Sequence, residues 1–196
     1  MNNLELLTLM NIKEKFANYL DLIKSLKHPM PHKDILEFMY HLKRDPVNSG
    51  PYDKVSLFEV ANRVFSDLVI WLGVEQILTE PMVDNARLPF TEYKARFGIK
   101  DGNDLEAYSG NVHLIGEAFH VAPSLFKKKL AYTIKKLQSN EAEKSDYKLI
   151  IFNSDALQNN ERYLEKSKKA NSSILYLPVY VPKTLNDISQ LDLEKM

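Results

Sequence analysis

In the first third of the chain, Leu4, Leu7, Met10, Ile12, Phe16, Leu20, Ile23 and Leu26 recur at helical spacing. Such a pattern predicts a helix that buries one stripe and ends near His28-Pro29. A second helix is expected over Lys33 to Arg44, with Ile35, Phe38, Met39 and Leu42 on one face. Asn48-Ser49-Gly50-Pro51 then punctuates the chain. It divides a helical N-terminal extension, 1–50, from a core over 51–182, with 183–196 as a C-terminal tail. The stretch Val55 to Leu78 is apolar enough to predict a helix buried on more than one side.

From Pro89 the period changes. Phe90 to Gly98, Asp104 to Tyr108 and Asn111 to Val121 read as three strands, with turns at Asp101-Gly102 and Ser109-Gly110. Ser124 is placed to cap a helix over Leu125 to Gln138 whose apolar stripe is Phe126, Leu130, Ile134 and Leu137. A strand (Lys148 to Phe152), a helix (Asn160 to Ala170) and a last strand (Ile174 to Val181) complete the order. This succession predicts an α/β fold, a mixed central sheet with helices on both faces.

Composition narrows the chemistry. Zero Cys removes disulfides, thiolate zinc sites and cysteine nucleophiles together. No apolar run approaches the roughly 20 residues that span a bilayer, and Met1 to Lys15 has no basic segment or small-residue cleavage site. The expectation is therefore a cytoplasmic protein without a membrane partner. Lys plus Arg and Asp plus Glu balance at 26 each, but the balance hides a separation. Asp101 to Phe126 holds four acids and no Lys or Arg; Lys127 to Asn140 holds five Lys and no acid.

A two-residue turn at Ser109-Gly110 would put Tyr108 opposite Asn111, Glu106 opposite His113 and Asp104 opposite Ile115. Alternation along the strands then places Asp104, Glu106, His113 and Glu117 on one face, with Asp104 diagonal to Glu117. Carboxylates so gathered repel one another unless a cation lies between them, and their hard oxygens suit Mg2+ or Mn2+. A competing reading makes Asp104 a turn residue and the two Glu solvated positions on a half-exposed sheet. Glu117 resists it, since it interrupts the apolar run Val112 to Phe119. A three-residue turn would separate Asp104 and Glu117 onto opposite faces.

Asp104, a 12-residue gap, then Glu117-Ala118-Phe119 on a hydrophobic strand followed by an amphipathic helix resembles the PD-(D/E)XK nuclease superfamily. Its restriction endonucleases are the nearest comparison. The resemblance covers the order of elements from about Val55 to Val181 and two acidic residues. It implies a restriction-endonuclease-like α/β/α core and Mg2+- or Mn2+-dependent hydrolysis of DNA by a type II restriction-type enzyme. Asp104 and Glu117 would hold the ion, and a homodimer would cut both strands. In that family a helix before the strands sometimes adds a carboxylate, here Glu59 by analogy; the alternative for Glu59 is an exposed helix position. The motif's Lys would fall at Phe119, which can neither orient a water nor take its proton, and Asn103 stands where Pro often precedes the acid.

The missing cation has several possible sources. Lys129 and Lys136 share one flank of the Leu125 to Gln138 helix, and Lys129 is taken as the catalytic substitute. Lys94 and Arg96 reach the acidic face only if the Asp101 turn has three residues. His113 could act as a base, whereas His120 points to the face opposite Glu117. Lys127, Lys128, Lys135 and Lys136 are the DNA-backbone candidates; the alternative is a solvated helix face. His28 and His32 are poor metal ligands because Pro29 and Pro31 break the helix between them. A nuclease-like fold without catalysis, binding DNA or a protein, is the second reading, and Phe119 favours it.

Overall fold

A computed structural model describes residues 4–27, 34–98, 102–139 and 145–191, with the side chains of 189–191 excepted. His28, Pro29, Pro31, His32, Lys33 and Asp101 lie outside the described residues. The helices are α1 (Ile12–Lys24), α2 (Ile35–Arg44), α3 (Leu57–Thr79), α4 (Phe126–Leu137), α5 (Glu161–Ala170) and α6 (Leu185–Leu191). The strands are β1 (Leu4–Thr8), β2 (Met82–Val83), β3 (Ala86–Arg87), β4 (Glu92–Arg96), β5 (Leu105–Ser109), β6 (Val112–Phe119), β7 (Tyr147–Asn153) and β8 (Ile174–Val179).

Six strands form one sheet in the order β1-β4-β5-β6-β7-β8. The first four pair antiparallel, while β6, β7 and β8 run parallel through the crossovers that contain α4 and α5. The α/β expectation, a mixed sheet flanked by helices, is met. Strand β7 is buried on both sides: Leu149 and Ile151 face the cluster built with α1 and α3, and Ile150 and Phe152 face the one built with α4 and α5. Such a strand reads as a continuous apolar run. Gly73 of α3 lets the helix lie close to it, since a Cβ there would stand 2.6 Å from Ile151 Cγ2.

Two expectations need correction. Leu4 to Thr8 is a strand, not the start of a helix, and pairs with β4 from Leu4–Arg96 to Thr8–Glu92. Leu7 is fully buried, and Ile12, Phe16, Tyr19 and Leu20 of α1 join the same core as α3. Trp71 of α3 stacks between Phe16 and Phe97, at 5.5 and 4.7 Å between centroids. Residues 4–27 are therefore part of the main core, and the division at 50/51 separates no independent unit. At the other end α6 packs Ile188 into that core.

The β2–β3 hairpin went unread in the sequence. Its turn, Asp84-Asn85, has φ of 47° and 66°, the two positive values that a tight hairpin of this hand uses. The Asp84 carboxylate accepts the Tyr176 N–H at 2.8 Å and pairs with Lys168 at 2.6 Å. It thereby occupies part of the otherwise unpaired edge of β8.

Candidate active site

Strand register decides the site. Ser109 pairs with Val112 and Tyr108 with His113, so the turn residues are Gly110 and Asn111. Gly110 alone of the two has positive φ, 58°, the pattern of a turn with Gly at its first central position. The register is thus two residues from the expected one. A shift of two preserves the face of every side chain. One step beyond the Leu105–Gly116 pair, Asp104 stands directly opposite Glu117 instead of diagonal to it.

The two carboxylates enter a cleft of about 350 Å³ lined also by Glu59, Arg63, Asp67, Lys129, Tyr132 and Lys136. Asp104 Oδ2 accepts the Ala118 N–H at 2.8 Å, which ties the acid to the strand that carries Glu117. Lys136 Nζ lies 2.7 Å from Glu117 Oε1 and donates to the Gly102 carbonyl at 2.9 Å. Burial pushes the Glu117 carboxyl up to about 7; the Asp104 charge pushes the same way, and Lys136 and Lys129 oppose both. Asp104 is raised as well, by burial, against the Ala118 N–H and the same two lysines. Desolvation raises both acids, and a cation between them would favour their charged forms.

Phe119, on the same face as Glu117, points into the core and stacks on Phe152 at 5.8 Å. Two cations of the next element line the cleft. Lys129 Nζ lies 5.8 Å from the Phe119 ring centre, on the flank of α4 that meets the cleft. Lys129 and Lys136, two turns apart, are both half-buried there, while Lys127, Lys128 and Lys135 are exposed. The lysines of α4 thus divide into an inner pair and an outer set. Lys136, expected on the DNA backbone, pairs with Glu117.

The remaining candidates fall elsewhere. Glu59 lies on the rim of the cleft, half-exposed and 3.5 Å from Arg63. Among the described residues no group of three or more His, Asp or Glu side chains is gathered to hold a metal ion, so Glu59 does not join the other two acids. Glu106 shares the face of Asp104 but pairs with Arg96 at 3.6 Å. Lys94, opposite Glu106, also reaches that face. His113 stacks on Tyr108 at 4.3 Å, four residues down β6 from Glu117, which is roughly 13 Å along a strand. His120 packs on Phe65 of α3, away from Glu117.

Asp67 was missed by sequence reasoning. It sits on the buried side of α3, in a run of apolar neighbours, and reaches the cleft wall. The Tyr19 and Tyr52 hydroxyls both donate to Oδ2, the former at 2.8 Å, and the Gly98 N–H donates to Oδ1 at 3.1 Å. Burial pushes its carboxyl up to about 6, against those three donors and with a smaller push from Asp104. A charged residue on the most apolar helix of the chain was the signal that could have found it.

No family model, no curated protein and no solved structure matches this chain. Among the described residues no helix is long and apolar enough to cross a membrane.

Proposed function

We propose that the chain is a metal-dependent endonuclease of PD-(D/E)XK type that hydrolyses phosphodiester bonds in DNA. It would act as type II restriction enzymes do, as a cytoplasmic homodimer. The observation that carries this reading is the convergence of Asp104, Glu117, Lys129 and Lys136 in one cleft, a half-buried and a buried acid beside two cations.

Asp104 and Glu117 would hold Mg2+ or Mn2+ through their carboxylate oxygens, the hard donors such an ion takes. The chemistry such an ion would supply there is polarisation of a phosphoryl oxygen and a lowered pKa for an attacking water. The protein's own part is positioning and charge. The Ala118 N–H orients Asp104. Lys129, whose Nζ lies 5.8 Å from the Phe119 ring centre, would take the role of the motif cation, its N–H groups holding a phosphate oxygen or the attacking water. Lys136 keeps Glu117 directed into the cleft. Lys127, Lys128 and Lys135 face solvent beside it and would neutralise backbone phosphates.

Glu117→Ala should abolish magnesium-dependent plasmid cleavage while the folded state persists in a thermal melt. A variant as active as the wild type would refute the reading. A second reading, a nuclease-like scaffold that binds DNA or a protein without cutting, is favoured by Phe119 in place of the motif Lys and by the Lys136–Glu117 pair. It predicts no rise in melting temperature with Mg2+ or Mn2+.

A further inference from the structure

Asp67 takes no part in the chemistry above, yet its side chain joins three distant stretches of chain at the wall of the cleft. Its donors are Tyr19 of α1, Tyr52 of the segment before α3, and Gly98 just after β4. We infer that Asp67 is a positioning residue: by holding Gly98 to α1 and α3 it fixes the end of β4 on which Asp104 is aligned with Glu117.

The path from Asp67 to the acids is continuous. Gly98 follows β4 by two residues, and Arg96, the last residue of β4, donates its N–H to the Asp104 carbonyl at 2.9 Å. Asp104 in turn accepts from Ala118. Gly98 has φ of 78°, and a Cβ there would stand 3.1 Å from the Tyr52 ring, so the backbone lies against that ring. Each anchor is directional: a carboxylate receiving three donors is fixed in rotation as well as in place. Core stability alone does not require a carboxylate here, since a well-packed apolar side chain would avoid the cost of burying a charge. What Asp67 adds over an apolar residue is a defined position for the Gly98 N–H.

Only the kinetic consequence rests on the endonuclease reading; the structural one does not. The test uses the full chain with Tyr19→Phe and Tyr52→Phe combined, which keeps both rings and removes two donors. Amide hydrogen exchange is followed by NMR without metal at Gly98, Ala118 and Ile150. The expected result is at least tenfold faster exchange at Gly98 and Ala118, with Ile150 in β7 unchanged, and a matching tenfold fall in kcat for magnesium-dependent cleavage at unchanged KM. Unchanged exchange at Ala118, or equal acceleration at all three amides, overturns the inference in favour of a purely structural role. Should the double variant fail to fold, Tyr52→Phe alone is read in the same way. A wild-type protein that does not cleave with Mg2+ or Mn2+ refutes the endonuclease reading, while the exchange result still decides the role of Asp67.

Discussion

Glu117→Gln should stabilise the metal-free protein at pH 8. The carboxyl is held at about 7 against an ordinary value of 4.5. Each pH unit between those values is worth about 1.4 kcal/mol, so ionising Glu117 in the folded state costs roughly 3 kcal/mol. The sign follows from linkage. A carboxyl whose value is raised by folding binds its proton more tightly in the native state, so its favourable contribution is complete below about 4.5 and is lost as pH rises through about 7. Glutamine keeps the shape and removes the ionisation. The favourable pull of Lys136 is already contained in the value of about 7, so nothing further is subtracted for the ion pair. The gain is about 3 kcal/mol at pH 8, or roughly 6–12 °C in Tm for a chain of this size. At pH 4, where Glu117 is protonated in the folded chain and mostly so in the unfolded one, the gain should nearly vanish. Thermal or urea melts of both proteins in chelator at the two pH values check this. Equal or lower stability of the variant at pH 8, or the same gain at both, would refute the argument that the two acids are held together at a cost.

Leu7→Ala should lower stability by about 2–5 kcal/mol in urea unfolding, because a fully buried leucine of the sheet is truncated; an unchanged midpoint would remove β1 from the core. Replacing Lys127, Lys128 and Lys135 together by Ala should weaken DNA binding at low salt without altering the melt. The slope of log affinity against log salt should fall by about 0.9 for each phosphate that is no longer neutralised, and an unchanged slope would place the DNA elsewhere.

Much of the fold was legible because its elements bury whole stripes or whole strands. Helices α3 and α4 and strands β6, β7 and β8 lie within a few residues of where periodicity placed them. Strand β1 escaped notice because Leu4-Glu5-Leu6-Leu7 fits both a helical and an alternating period, and its partner β4 lies almost ninety residues away. The coplacement of Asp104 and Glu117 was readable despite the wrong register, since a displacement of two residues leaves each side chain on its face. The partners of Asp67 were unreadable in the same terms: its donors stand 48, 15 and 31 residues away in the chain, and nothing local marks them.

The sequence by itself determined the α/β class, the alternation that sets which residues of one strand share a face, and a lysine-rich helix directly after the two acids. Those features depend on local periodicity, which the peptide backbone converts directly into faces of strands and helices. Only the tertiary structure decided that Asp104 lies straight across from Glu117, that Lys129 and Lys136 divide from the outer lysines, and that α1 reaches the cleft wall through Tyr19. Each of these depends on how elements far apart in the chain dock on one another. Docking is set by side-chain volume and by the pairing of buried polar groups, neither of which has a period along the sequence.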